Sequence, residues 1–554
     1  MMDFGPHKYN AKLHINRDPA FLLSSPMVID IETDERDKFV GIGLTSTGMD
    51  IFYITDLKYV RDYLLGSQLI THGGKFDLIQ LRKWGIDIQP KQLLYDTQIM
   101  AYMYDNIQGK YGLKNLAKKY LGMTWPTYEE ITGTGKKKIT LDKHPIETVA
   151  NYCGMDTLAT FKLYKYLNAR LLKSQKQYLN EIEMPFYRAL IEMEEQGIQV
   201  DVNYLKKLDK QFEEEMILLE STLNGYVQEP FNPRSPKQVI KALKENKINV
   251  ISSKSKILKE FKEKPIIRDL LNYREVNKLK TTYTNVLLQH KTLPRIYSYF
   301  NPCGTITGRL TSSNPNLQTI PTRTIKGKLM RKVFIAKPGY KLLVADYSNI
   351  EPRFVAHFSQ DPVLLEIFNS DKNFHEVTAQ KLNLSKEIAK TFNLATTYGS
   401  GAKTLADEAN ISISNALKYL EDYWKLYKGL NAWCIKQKFY AHKYGGIRTY
   451  LGKFIPLVGI NGTDMKRRFF CERCAVDYPC QSSVSELIKL AMIKLHENAY
   501  IPILQVHDEL LFEVEEERAE HELSVIKYIM ENAIQLSVPL KVEIKIGNNW
   551  GECK

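Results

Sequence analysis

Two short apolar segments, each closed or interrupted by one aspartate, constrain this chain most. Asp346 ends the apolar run of KLLVADYSNIE, and Asp508 lies in ILQVHDELLFEV between two apolar stretches. Leu342-Leu343-Val344-Ala345 is long enough to be a buried strand. The second segment predicts a strand, a tight His507-Asp508 turn and a return strand. Aspartates on adjacent rigid strands can hold two divalent ions about 3.5–4 Å apart, which activates one oxygen and stabilises another during in-line phosphoryl displacement. Either aspartate alone is equally a turn residue or a strand-end cap. Their surroundings decide between the two.

Composition narrows the partners. The 554 residues allow several domains. With 44% hydrophobic and 25% charged residues, the chain has the balance of an ordinary globular protein. A net charge of +14 favours a polyanionic partner. The 33 tyrosines include rings able to stack on bases, although most serve packing. No stretch approaches the roughly 18 apolar residues of a membrane span, and MMDFGPHKYNAKLHINRDP has no apolar core for a signal peptide. A cytoplasmic protein without membrane contact is expected, with an organelle as the alternative. Seven cysteines suggest no disulfide framework. Cys471 and Cys474 form a lone CxxC with Cys480 close by; zinc needs four ligands and there is no second pair, so no zinc site is expected.

A first unit is expected to run to roughly residue 172, with strands near 28–31, 40–44 and 51–54 followed by helices. EIEMPFYRALIEMEEQGIQVD predicts a new helix, with Pro185 in its first turn and Gly197 at its end. That sets a domain boundary near residue 180. Residues 201–289 read as helical and rich in lysine. Within them KSKILKEFKEK is either a solvated helix face or a track for a phosphate backbone. From Tyr297 onward strands and long helices alternate.

Other acids fall into order. VIDIET places Asp30 and Glu32 on one face of a strand, where two carboxylates repel each other unless a cation lies between them. HGGKFDLIQL carries Asp77 at the start of a helical pattern. NYCGMDTLAT carries Tyr152 and Asp156 at i and i+4, on one helix face. Four acids can hold two metals, and Tyr152 could orient an attacking water. Each acid alone is an ordinary surface charge; the ordered set is not. These residues resemble the three motifs of a DEDD-type 3′→5′ exonuclease of the tyrosine subclass. One departure is visible: Gly73 stands where the family usually has Asn, which bears on how a single-stranded end is held and removes no metal ligand.

Toward the C-terminus, Lys386, Lys390, Leu394 and Tyr398 recur at steps of four, drifting only about 40° per step around a helix. They form one stripe, and Gly399 and Gly401 suit a helix end. Lysines beside a two-metal site can neutralise a triphosphate and a leaving pyrophosphate; the same stripe is also an ordinary amphipathic pattern.

DYSNIE, KTFNLATTYG and VHDE together resemble motifs A, B and C of family A DNA polymerases, the bacterial DNA polymerase I family. TGRLTSSNPNLQTIP, FNPRSPKQV, YREVNKLKTTY and VEIKIGNNW are similar to that family too, so the resemblance covers nearly the whole chain. It implies an α/β and α+β multidomain protein: a ribonuclease H-like exonuclease domain over 1–180, then a right-hand polymerase domain over 181–554. The thumb is expected at about 201–290, the palm at about 291–365 and 470–554, and the fingers at about 366–469. The 5′-nuclease domain that some members carry in front is not expected.

The resemblance implies these roles. Asp346, Asp508 and the Tyr347 backbone hold the metals of polymerisation, with Glu509 supporting the site. Asp30, Glu32, Asp77 and Asp156 hold those of the exonuclease. Two Mg²⁺ are implied per active site, with Mn²⁺ able to substitute. Glu351 is the steric gate against a ribose 2′-hydroxyl and pairs with Tyr398. Lys390 contacts the triphosphate and His375 the β-phosphate. Lys386 stands where the family has Arg, keeping the charge without the bidentate fork. Arg309 and Gln481 reach the minor groove of the newest base pairs, where every correct pair shows acceptors at similar positions. Arg473, Asn314, Gln318 and His507 assist on the DNA.

Leu394 replaces an aromatic associated with discrimination against dideoxynucleotides, so poor dideoxy incorporation is expected. Pro352 and Asn349 replace the usual Leu and Gln, and CQSSVSELIKLAMIKL departs from the family's run. A DNA-templated DNA polymerase with proofreading follows, acting on primer-template DNA and dNTPs as a monomer. A helicase, a single-strand binding protein or a processivity factor are candidate partners. A phage replication enzyme is favoured over a repair or organellar one. A single-subunit RNA polymerase would lack the gate acid and have no need of the exonuclease; a non-catalytic DNA-binding scaffold would have no need of intact acids.

Overall fold

The computed structural model describes residues 2–4, 7–9, 11–19, 22–107, 109–135, 138–322, 324–397 and 399–553. Two sheets carry the two groups of acids. The first has six strands in the order Lys12–Ile15, Asp50–Ile54, Phe39–Thr45, Met27–Thr33, Leu69–Thr71 and Leu93–Asp96. Met27–Thr33 is central, antiparallel to Phe39–Thr45 and parallel to Leu69–Thr71. Being covered on both faces, it is apolar at Met27, Val28, Ile29 and Ile31, all buried. The helix Ile146–Arg170 lies across this sheet. Gly43 permits the approach, because a Cβ there would stand 2.1 Å from Thr157 Oγ1 and 2.9 Å from Cys153 Sγ.

The second sheet is antiparallel, in the order Leu504–Val506, Glu509–Glu515, Tyr340–Tyr347 and Val542–Gly547. Leu342 to Ala345 are buried in it, as expected for a strand with neighbours on both sides. The register sets Asp346 opposite Glu509, and the predicted two-residue turn is present, with His507 at φ +58. The lysine-rich region folds into the paired helices Val202–Asn224 and Pro265–Leu279 with Pro236–Glu245 beside them, around a small core of its own. Leu258, inside KSKILKEFKEK, is buried in that core, so the run is a partly packed segment rather than a wholly solvated face.

The junction differs from the expected fresh helix. Residues 173–196 run helically through Lys173–Tyr178, a π turn at Leu179–Glu183 and Met184–Gln196. Residue 180 is therefore inside a helical run; Pro185 does stand in the first turn of Met184–Gln196, as expected, but that helix continues from a π turn instead of starting free. The ladder is already shifted there, which is where a missing N–H costs least. Gly197 ends the run at φ +59, as expected. Phe186, Leu190 and Met193 pack into the core of the second sheet, while Met184, Tyr187 and Ile191 pack into that of the first. One helix thus joins the two lobes with opposite faces. Among the described residues, no helix is long and apolar enough to cross a membrane.

Candidate active sites

Asp30 and Glu32 lie on the central strand, and one ligand atom from each lies within 4.8 Å of the other and of Cys153 Sγ. Asp77, buried in the first turn of Lys75–Lys83, accepts the N–H of Ile31 at 3.1 Å, which ties it to the residue between those two acids. Asp156 accepts from Trp125 Nε1 at 2.8 Å and from Lys114 Nζ at 3.1 Å; Lys114 also reaches the Tyr152 hydroxyl at 3.4 Å. The acids face one another. Burial raises the Asp30 pKa well above the ordinary value, and repulsion from Asp156, Glu32 and Asp77 adds to it. Burial and then Asp156 raise Glu32, with Lys114 pulling the other way. Asp77 is pushed up to about 7 by burial, against the backbone N–H bonds it accepts. Asp156 is raised by burial against Lys114. Crowded buried carboxylates ionise together only when cations offset them, so this donor set fits divalent ions, with Lys114 supplying one fixed positive charge.

The second site gathers around the other sheet. Tyr347 donates its N–H to the Asp508 carbonyl at 3.3 Å and its hydroxyl to the Met530 carbonyl at 2.7 Å. Asp508 is pushed up to about 6 by burial, by Asp346 and by Glu351, with Arg309 opposing. Arg309 forms an ion pair with Glu351. Gln481 donates to Asp477 at 3.2 Å, and Asp477 is pushed up to about 6 by burial and then Glu351, with Arg309 opposing. Gln318 donates to Gln505 Oε1 at 2.8 Å, and Gln505 in turn donates to the His507 carbonyl. Glu509 is buried and accepts from Trp550 Nε1 at 2.8 Å; the Arg331 guanidinium lies 3.6 Å from Glu509 and 3.9 Å from the Trp550 ring centroid. Glu509 therefore faces a buried arginine and an indole.

The stripe is real as far as it is described. Lys386, Lys390 and Leu394 are all exposed on Lys386–Thr397. Tyr398, and with it the expected pairing to Glu351, lies outside the described residues. His375 accepts at Nδ1 from Asn393 Nδ2 at 3.0 Å, and its pKa is lowered by burial and then by Lys390 and Lys386. Lys386 pairs with Glu376 at 2.5 Å. Arg473 lies against Gly399, its Cα 3.4 Å from where a Cβ would be, and Asn314 is exposed at φ +54.

Two sequence departures acquire a local reason. Asn349 caps Ile350–Ser359 at φ +51, a conformation asparagine tolerates well. Pro352 falls in that helix's first turn, where its missing N–H has no intrahelical acceptor. Gly73 sits at φ +73 with open space where a Cβ would be. Sequence reasoning missed Cys153, Lys114, Trp125, Asp477 and Gln505. Cys153 lies within a quoted motif, but nothing in a small thiol's position announces that it faces acids on another element.

Profiles of known families agree with this arrangement. That of DNA polymerase family A matches residues 202–552, and that of 3′-5′ exonucleases matches residues 48–172. Asp30 and Glu32 precede the second match, so their place in the cluster rests on the fold. DNA polymerase I of Rhizobium leguminosarum is 32% identical over 514 residues, covering 86% of this chain and 50% of its own length. Thermostable DNA polymerase I of Thermus thermophilus is 35% identical over 425 residues, 72% of this chain and 51% of its own. The chain spans about half the length of these curated relatives. The POL domain of Pol1 from M. smegmatis, solved in complex with DNA primer-template and dNTP, superposes with a TM-score of 0.86 at 26% identity, covering 98% of this chain and 100% of that one. With a polymerase profile across most of its length behind an exonuclease-type domain, the chain belongs to DNA polymerase family A.

Proposed function

We propose that this chain is a DNA-templated DNA polymerase that extends a primer 3′ end with deoxynucleotides and removes errors with a 3′→5′ exonuclease. The observation that carries this is the presence of two separate carboxylate sites, one beside each sheet: Asp30 and Glu32 on the first sheet with Asp77 and Asp156 from the helices packed against it, and Asp346 and Asp508 at the second. The reading takes 1–180 as exonuclease and 181–554 as polymerase, joined by the shared helix at 173–196. It divides the latter into a thumb at about 201–290, a palm at about 291–365 and 470–554, and fingers at about 366–469.

Asp346, Asp508 and the Tyr347 carbonyl would hold Mg²⁺ in the polymerase, and the four other acids would hold it in the exonuclease. Such ions polarise phosphoryl oxygens and stabilise both the attacking and the leaving oxygen. The chain's own residues do the rest. Lys386, Lys390 and His375 form a cationic face for a triphosphate. Glu351 fills the space a 2′-hydroxyl would need. Arg309, now paired to Glu351, must exchange that partner to reach a minor groove, while Gln481 is held by Asp477. Tyr152 and Lys114, in contact with each other beside Asp156, would orient an attacking water. The primer-template and dNTP in the M. smegmatis structure support these substrates. A role in replication in a phage-infected cytoplasm fits the compact pair of activities.

Primer extension on a primed DNA template with Mg²⁺, with dNTPs present or omitted, tests both activities. Asp508→Ala should abolish extension and leave 3′-end degradation, and Asp30→Ala should do the reverse. Wild-type extension by Asp508→Ala would remove the metal assignment.

A further inference from the structure

Residues 428–463 carry six Lys or Arg and no Asp or Glu. They form the helix Lys428–Tyr444 and the hairpin of Gly446–Arg448 with Phe454–Pro456. The catalytic residues named above use none of them. With residues near 103–107 and 172–182, this segment encloses a cleft of about 620 Å³, well inside the range of ligand sites. Tyr440, Tyr444 and Phe454 line it. The Tyr440 and Tyr444 ring centroids are 4.5 Å apart, and Tyr444 is 53% and Phe454 39% exposed. Cations accompany these rings: Lys443 Nζ is 5.2 Å from the Tyr444 centroid, and the Arg448 guanidinium is 5.8 Å from that of Phe454. The two carboxylates of the lining are engaged within their own wall, Asp105 by Lys119 at 2.8 Å and Glu181 by Gln177 at 3.1 Å.

Stackable faces interleaved with cations on an acid-free segment are what holds single-stranded nucleic acid without regard to sequence. A duplex offers no free base faces. Two observations select the strand. Asp156 sits early in Ile146–Arg170, whereas the cleft borders Leu172 beyond that helix's far end, about 20 Å along it at 1.5 Å per residue. A 3′ end held for excision is therefore elsewhere. Lys453 lines the cleft and shares Glu183 with Lys489, which lines the small cavity beside Asp508. The cleft thus lies one charge cluster away from the polymerase aspartate.

We infer that this cleft takes the single-stranded template 5′ of the paired region, its bases stacking on Tyr444 and Phe454 and its phosphates meeting Arg448 and Lys443. The inference rests on the polymerase reading. Fluorescence anisotropy in chelator, where neither site turns over, compares primer-templates with a one-nucleotide or a ten-nucleotide 5′ overhang. Tyr444→Ala and Phe454→Ala should each weaken the long-overhang complex about fivefold or more and leave the short one unchanged. Arg448→Gln should flatten the salt dependence of the long-overhang complex alone. Equal weakening of both, or of neither, overturns the inference. Weakening confined to a third substrate with a 3′ single-stranded end overturns the strand assignment. Failure of the wild-type protein to bind even the short-overhang substrate would overturn the polymerase reading and this inference with it.

Discussion

Glu183 offers the sharpest test of how the two lobes are held. It lies in the π turn of the shared helix, 1% exposed, and accepts from Lys489 at 2.7 and 2.8 Å and from Lys453 at 3.4 Å. Lys489 is itself only 2% exposed. Glu183→Gln keeps the shape and removes the negative charge, leaving a buried ammonium without its counter-ion. Breaking one partner of a buried pair costs about 3–5 kcal/mol, far more than the pair's net worth, because the remaining charge stays desolvated. Equilibrium urea unfolding by tryptophan fluorescence, checked by calorimetry because two cores can unfold separately, measures the loss. The double variant Glu183→Leu/Lys489→Met should be less destabilised than the sum of its singles, since both charges leave together. The pH dependence has a definite sign. Burial pushes the Glu183 pKa up, but Lys489 and Lys453 outweigh it and hold the carboxyl below its ordinary 4.5. Its contribution is therefore present above 4.5 and lost as pH falls through the depressed value, so the gap between wild type and Glu183→Gln should narrow in acid. A loss under about 1 kcal/mol, or strict additivity in the double variant, would refute the reasoning.

Other perturbations follow from the two sites. Asp77, raised to about 7, contributes stability that is fully present below its ordinary 3.8 and lost as pH rises through 7; Mg²⁺ should therefore raise the melting temperature more at pH 8 than at pH 5.5, and equal shifts would count against a shared metal site. Lys114→Met removes the fixed charge between Asp156 and Tyr152, and 3′-end degradation should fall roughly 10–100-fold while extension is unchanged. Glu351→Ala should admit ribonucleotides and release Arg309; unchanged sugar selectivity in single-nucleotide incorporation would remove the gate role.

Much of both sites was readable because the chemistry sits in short contiguous motifs. Asp30 and Glu32 share a strand, Tyr152 and Asp156 a helix turn, and Lys386, Lys390 and Leu394 a stripe, each following from the period of its own element. The His507-Asp508 hairpin likewise follows from two apolar runs with two residues between them. The junction was less legible. Pro185 looks like a helix start because a sequence window shows a proline and not the π turn that accommodates it.

The sequence alone determined most of the elements, the family resemblance and which acids are candidates for the two sites, because strand and helix periodicity are local properties. Tertiary structure decided what those acids meet. Lys114 is 42 residues from Asp156, Arg309 is 42 from Glu351, and Lys489 is 306 from Glu183. Such distant charges are brought together by the packing of sheets and helices. Burial then strengthens their interactions, so the surroundings that set each aspartate's behaviour exist only in the folded chain.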